Sequence, residues 1–207
     1  MRAVHTALEW IMKVAYLNIL WLAFSLLGFV VMGLFPATAA TFAVVRKWFT
    51  GGVDQPIFKT FWLAYKQSLL QANILGYIMV TLYYILYLDF VFLTLIDNEP
   101  MLLLTIPFFL ILVVTGLTSL YIFPMYVHFD MKTIEVLKAS FFMMLLHPFQ
   151  TMTMALGVFA LWFGLWHFQW LFLFFSMSVL AIILVMPALK ASNKIAERYQ
   201  QKLLLEK

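Results

Sequence analysis

The chain has 207 residues, of which 65% are hydrophobic and only 11% are charged. A soluble domain is about 45–50% apolar and about 25% charged, so this composition excludes an ordinary water-soluble fold. Lipid is therefore the predicted solvent. Cysteine is absent, which excludes disulfides, thiolate metal sites and a cysteine nucleophile. No basic surface suited to tracking nucleic acid is found either.

Five apolar stretches are long enough to cross a bilayer, which requires about 20 residues per helix. The backbone in lipid must satisfy its own hydrogen bonds, so each stretch is predicted to be helical. The predicted spans are residues 14–35, 72–96, 101–127, 148–166 and 170–189. We predict an all-α fold, a polytopic transmembrane helical bundle that forms one integral membrane domain over residues 1–207.

The connections between the spans are predicted to contain helices of their own. We expect the first span to continue to Phe49 past a kink at Pro36, since proline bends a helix without always ending it. Residues 57–70 and 131–146 have the pattern of amphipathic helices at the inner interface. The basic, amphipathic tail 190–207 is expected either to lie on the inner leaflet or to dock on a cytoplasmic partner.

The distribution of Lys and Arg predicts the orientation. These residues occur after the first and third spans and in the tail, whereas the short turns 97–100 and 167–169 contain none. Basic connections lie on the cytoplasmic side of a membrane. With five crossings, the C-terminus is then cytoplasmic and the N-terminus extracellular, although Arg2 and Lys13 oppose the latter placement.

Three polar residues inside the predicted spans are candidates for an intramembrane role, namely Asp89, Asn18 and Asn73. A carboxylate in lipid is costly, so Asp89 belongs either to a solute or proton path or to a structural cluster with neighbouring tyrosine hydroxyls. We expect the two asparagines to form hydrogen bonds with adjacent helices.

Motifs typical of enzymes are absent from the sequence. It has no glycine-rich phosphate loop, no G-x-S-x-G turn and no H-E-x-x-H pair, and its four histidines are separate from one another. We therefore predict that the protein is not an enzyme and uses no cofactor or metal.

Five segments in the first third of the chain carry a family resemblance: Glu9–Met12, Ala15–Trp21, Phe35–Ala40, Val44–Trp48 and Pro56–Trp62. On these residues the chain resembles the YesL-like family of bacterial integral membrane proteins, a domain of unknown function. The resemblance implies a bacterial plasma membrane location and brings no catalytic residues with it. Members of that family are often encoded beside carbohydrate ABC importers, which implies an accessory role in sugar uptake.

The leading hypothesis is a non-enzymatic accessory or assembly subunit of a bacterial carbohydrate ABC importer, in contact with lipid and with permease subunits. Its predicted partner-binding residues are Arg46, Lys47, Trp48, Lys59 and Trp62. The alternative is an autonomous small-solute transporter or channel, suggested by Asp89 and by the threonine-rich third span. A membrane sensor that signals through the basic tail is a third interpretation.

Overall fold

The computed structural model describes residues 2–51, 55–95, 102–129 and 131–205. The helices are α1 (Arg2–Leu27), α2 (Leu34–Thr50), α3 (Ile57–Leu95), α4 (Leu102–His128), α5 (Thr133–Leu146), α6 (Pro148–His167) and α7 (Phe172–Leu205). A short 3-10 turn, Gln169–Leu171, joins the last two. The all-α prediction is confirmed, and five of these helices are long and apolar enough to cross a membrane. The predicted outer turn 97–100 lies outside the described residues.

The first predicted span is in fact the first arm of a helical hairpin. α1 ends at Leu27, and α2 runs back antiparallel to it. The indole of Trp21 donates a hydrogen bond to the hydroxyl of Thr38 (3.0 Å), and the rings of Trp10 and Trp48 meet edge to face with centroids 5.6 Å apart. These two contacts pair the end of each helix with the start of the other.

The expectation of one helix kinked at Pro36 is therefore wrong. Pro36 lies in the first turn of α2, which begins at Leu34. Backbone N–H groups in the first turn of a helix have no intrahelical acceptor, so proline costs nothing there and favours the start of a helix. The proline thus begins a new helix after a reversal of the chain.

Close approach of two glycines makes the reversal possible. A Cβ atom on Gly28 would lie 2.3 Å from the Cα of Gly33, and a Cβ on Gly33 would lie 2.5 Å from the carbonyl oxygen of Phe24. Between them, Phe29 and Val30 have φ angles of 53° and 64°. This left-handed region is unfavourable for a β-branched residue, so surrounding contacts must hold the turn.

Those contacts come from α3. The hydroxyl of Tyr77 donates to the carbonyl oxygen of Val31 (2.6 Å), and the side-chain amide of Asn73 donates to that of Met32 (3.0 Å). Irregular backbone in a membrane protein needs protein donors of this kind, because lipid offers none. The turn between α1 and α2 is therefore stabilised from outside the hairpin.

α2 lies at the centre of the bundle and contacts α1, α3, α4 and α7. Ala37, Ala39 and Ala40 are buried, and such small side chains let neighbouring helices approach closely. The hydroxyl of Thr41 donates to the carbonyl four residues earlier (2.9 Å), so its burial leaves no unpaired polar group. Phe42 stacks on a phenylalanine of α4, Phe123, with centroids 5.6 Å apart.

α3 and α7 are longer than the predicted spans. α3 has 39 residues and is about 58 Å long at 1.5 Å per residue, roughly twice the hydrocarbon thickness of a bilayer. The predicted amphipathic helix 57–70 and the predicted span 72–96 thus belong to one continuous helix. α7 likewise joins the last predicted span to the basic tail. Hydropathy locates the apolar part of such a helix but not its ends.

The hairpin brings the start of α1 to the end of the bundle where α2 and α4 end. Trp10 contacts Trp48, and two residues earlier on α2 the guanidinium of Arg46 donates to the carbonyl oxygen of Val127. Arg46 also lies beside Ala188 of α7. We term this region the basic end: the start of α1, the ends of α2 and α4, the starts of α3 and α5, and the part of α7 that follows Ala188.

The composition of the basic end concerns the predicted placement of the N-terminus and the C-terminus on opposite sides of the membrane. Counting five crossings placed the N-terminus and the C-terminus on opposite sides of the membrane, and that count treated α1 and α2 as one continuous helix. Because α2 runs back alongside α1, the start of α1 lies at the same end of the bundle as the basic part of α7.

Replacing Gly33 with alanine is expected to lower the free energy of unfolding by about 1–3 kcal/mol, because the added Cβ overlaps the backbone of α1. Thermal unfolding of the detergent-purified protein, followed by tryptophan fluorescence, measures the change. Gly116 is the matched control, since no atom lies within 4 Å of a Cβ placed there. Equal losses for Gly33→Ala and Gly116→Ala would contradict the role of close approach in the hairpin.

Candidate functional site

An open cavity of about 920 Å³ lies at the basic end, between α2, the first part of α3 and the connection from α4 to α5. Three cationic residues line it, Arg46, Lys47 and Lys132. Its hydroxyl and amide groups come from Thr50, Gln55, Thr60, Gln67, Ser68, Gln71 and Tyr126. The wall of the cavity therefore combines three positive charges with hydroxyl, amide and apolar groups.

The antiparallel packing of α2 on α3 creates this space. Ala39 and Ala43 on α2 face the cavity, as does Ala64 on α3, and these short side chains leave a gap between the helices. The far wall is held by Gln71, whose side-chain amide donates to the carbonyl oxygen of Met131 (2.6 Å). One hydrogen bond thus ties α3 to the connection that carries Lys132.

Arg46 is the most constrained of the cationic groups. It is half-buried, and one terminal nitrogen donates to the carbonyl oxygen of Val127. Its Nε atom is buried and has no hydrogen-bond partner among the described residues. The guanidinium is therefore fixed in the wall with part of its donor capacity unused.

The charge of the cavity is not neutralised within the described part of the chain. No described acidic side chain forms an ion pair with its three cations, and the recorded ion pair, Lys13 with Glu9 (2.7 Å), lies on α1. Asp54 and Asp130 lie outside the described residues. Among the described residues, no group of histidine, aspartate and glutamate side chains could hold a metal ion.

The five residues predicted to bind a partner occupy three different environments. Arg46 and Lys47 line the cavity. Lys59 is exposed, and Trp62 is half-buried with its ring 5.4 Å from that of Phe24. Trp48 is only 5% exposed and packs on α1, which makes it a core residue with no surface for a partner.

The three residues predicted to have an intramembrane role, Asp89, Asn18 and Asn73, also lie in different surroundings. Asp89 is exposed on the second half of α3 and has no hydrogen bond or ion pair with any described residue. The hydroxyl of Tyr83, one of the expected partners of Asp89, instead bonds to Ser119 of α4 (3.1 Å). Asn73 holds the turn between α1 and α2, as described above. None of the three lines the cavity.

Asn18 is fully buried and joins α1 to α7. Its Nδ2 donates to the carbonyl oxygen of Leu173 (2.7 Å), while its Oδ1 accepts from the backbone N–H groups of Met177 (2.9 Å) and Ser178 (3.2 Å). Leu173 and Met177 are four residues apart and would bond to each other in a regular helix. The Asn18 amide therefore occupies the position of a backbone link in α7, which is a structural role.

Lys132 and the glutamines of α3 are cavity residues that the sequence analysis did not single out. Gln67 and Gln71 are four residues apart and so share one face of α3, which was the available signal. Lys132 had no such signal, because only the packing of the α4–α5 connection brings it to α2.

Comparison with known proteins assigns the chain to a family. It is 41% identical over 193 residues to "Uncharacterized protein YesL" of Bacillus subtilis (strain 168), covering 93% of this chain and 90% of that protein. Residues 14–90 also match the family described as "Protein of unknown function, DUF624". The chain belongs to this YesL-like family.

Two further relatives from Bacillus subtilis (strain 168) agree with this assignment. "Uncharacterized protein YteU" is 39% identical over 175 residues, 84% of this chain and 78% of its own length. "Uncharacterized protein YesV" is 30% identical over 199 residues, 96% of each chain. No solved structure matches the chain. The family segment includes α2 and the α3 wall of the cavity but not Lys132.

Replacing Asn18 with leucine is expected to lower the free energy of unfolding by about 1–3 kcal/mol, because three backbone groups of α7 lose a buried partner. Thermal unfolding in detergent measures the loss. Asn193, exposed on the same helix α7, supplies the control Asn193→Leu. If both variants unfold at the same temperature as the parent protein, the bridge contributes nothing.

Proposed function

We propose that this multi-pass membrane protein is a non-enzymatic accessory or assembly subunit of a bacterial carbohydrate ABC importer in the plasma membrane. In this proposal it binds permease subunits on the cytoplasmic side, at the basic end. The observation that carries the docking is an exposed aromatic and cationic face at the start of α3. The importer as partner is supported by the family resemblance.

The docking surface consists of Phe58, Lys59, Trp62 and Lys66. Phe58 is 50% exposed, and the Nζ atom of Lys66 lies 4.4 Å from the centroid of the Trp62 ring. Aromatic residues are enriched in the energetically dominant parts of protein interfaces, and a cation over an aromatic ring adds a directional contact. Because α3 is about twice as long as a bilayer is thick, this face can extend beyond the hydrocarbon region.

The docking surface is separate from the cavity. Phe58, Trp62 and Lys66 repeat every four residues and share one face of α3, whereas Ala64, Gln67 and Gln71 lie on the opposite face at 100° per residue. A partner bound to the first face would leave the cavity open. The two features can therefore be altered independently.

A membrane transporter in its own right is the second candidate, and the open cavity favours it. A site open to one side of the membrane is one half of an alternating-access cycle. Solute flux into proteoliposomes that is lost when Lys47 and Lys132 of the cavity are both replaced with glutamine would support a transporter. Absence of flux for every candidate sugar and ion would leave the accessory role as the working proposal.

Both termini are proposed to lie in the cytoplasm, since the start of α1 shares the basic end with α7. The chain contains no cysteine, so single cysteines can report accessibility without background. We expect Ala7→Cys and Asn193→Cys to react with a membrane-impermeant maleimide from the cytoplasmic side, and Gln169→Cys to react from outside. Reaction of Ala7→Cys and Gln169→Cys from the same side would restore the topology with five crossings.

Reversing the charge of the docking surface with Lys59→Glu and Lys66→Glu together is expected to reduce co-purification of permease subunits about tenfold, because like charges at an interface are strongly unfavourable. Affinity purification in mild detergent followed by mass spectrometry of intact complexes measures this. Lys138→Glu with Lys190→Glu is the control pair, on exposed residues of α5 and α7. Recovery of the parent protein only as a monomer or homo-oligomer would contradict the accessory role.

A further inference from the structure

We propose that the cavity at the basic end is a binding site for a phosphate-bearing ligand, held by Arg46, Lys47 and Lys132. This proposal does not depend on the importer, because the cavity lies on the face of α3 opposite to the docking surface. It rests on the charge of the cavity, the side chains with hydrogen-bond donors in its wall, and its size.

Arg46, Lys47 and Lys132 give the cavity its positive charge. They come from two separate parts of the chain, the end of α2 and the connection before α5, and they line one space. No described acidic group pairs with any of them. Like charges gathered in one cavity repel each other, so an anion placed among them would be bound favourably.

The N-terminus of α5 adds to the positive electrostatic potential of the cavity. Met131 and Lys132 line the cavity and directly precede α5, a helix of 14 residues. The N-terminus of a helix carries a partial positive charge that favours anions. Glu135 accepts a hydrogen bond from the backbone N–H of Lys132 (3.1 Å), so part of this end is already capped, and the side chains supply the main attraction.

The available donors suit a phosphate group. A guanidinium presents several N–H donors in a planar fork that matches phosphate oxygens, and Arg46 lines the cavity with one terminal nitrogen fixed by its bond to Val127. Gln67 also lines the cavity and forms no hydrogen bond with a described residue. Lysines act as mobile point charges beside such a fork, and both lysines here are exposed at the rim.

The size of the cavity indicates a ligand larger than a free ion. Its volume of about 920 Å³ falls in the upper part of the range of about 300–1,000 Å³ that is typical of small-molecule sites. Leu63, Val127 and Phe129 give part of the wall an apolar character. Two sources share this chemistry: a soluble phosphorylated compound and the headgroup of an anionic phospholipid at the inner leaflet.

The test uses the full chain purified in neutral detergent and measures its unfolding temperature. Inorganic pyrophosphate is titrated in one arm, with potassium chloride at equal ionic strength to account for screening. In a second arm, mixed micelles of the neutral detergent with phosphatidylcholine are compared with mixed micelles that also contain phosphatidylglycerol. Saturating ligand is expected to raise the unfolding temperature by about 5 °C, since binding to the folded state alone stabilises it.

A shift with pyrophosphate supports a soluble ligand, and a shift only with phosphatidylglycerol supports a lipid headgroup. In either case Lys47→Gln with Lys132→Gln should weaken apparent affinity at least about tenfold, whereas Lys138→Gln with Lys190→Gln removes the same charge outside the cavity and should not. Arg46→Lys keeps the charge and should weaken binding by losing the fork. No shift with either probe, or equal losses in both double variants, would overturn the proposal.

Discussion

α2 packs against four other helices through alanine and threonine side chains, and the remaining helices are arranged around it. Lipid is as apolar as a leucine side chain, so helices in a membrane gain little from hydrophobic burial and depend on close van der Waals contact. Ala37 and Ala40 permit that contact, and Thr41 returns its hydroxyl to its own helix. A larger side chain at these positions would separate α1, α3, α4 and α7 together.

The hydrogen bonds of the bundle complement this packing at the places where backbone groups lack a regular partner. The Asn18 side chain donates one hydrogen bond to a backbone carbonyl in the first turns of α7 and accepts from backbone N–H groups there. Asn73 and Tyr77 donate to carbonyl groups of the turn between α1 and α2. Arg46 does the same for Val127 near the end of α4. Asn18, Asn73, Tyr77 and Arg46 therefore act as structural links, whereas the cavity at the basic end gathers three cations that form no ion pair with a described residue.

Part of this organisation was predictable. The predicted spans 101–127 and 148–166 lie within one residue of α4 and α6, because polar residues or a proline border both apolar runs. The turn at Gly28–Gly33 was missed because Phe29–Met32 are apolar, so hydropathy continues through a break in the helix. Arg46 and Lys47 were predicted as partner-binding residues because they lie in the basic, tryptophan-bearing segment that carries the family resemblance. Their neighbour Lys132 could not be found in this way, since 84 residues or more separate it from them in the sequence.

The sequence by itself determined the solvent, the helical fold and the segregation of basic residues, since composition and the hydrogen-bonding demands of lipid leave no other solution for such a chain. The tertiary structure alone decided that α2 is a separate, central helix and that the start of α1 lies at the basic end. It also decided which cations meet in one cavity. These features depend on a chain reversal and on contacts between distant helices, and a pattern of single-residue hydropathy contains no information about either.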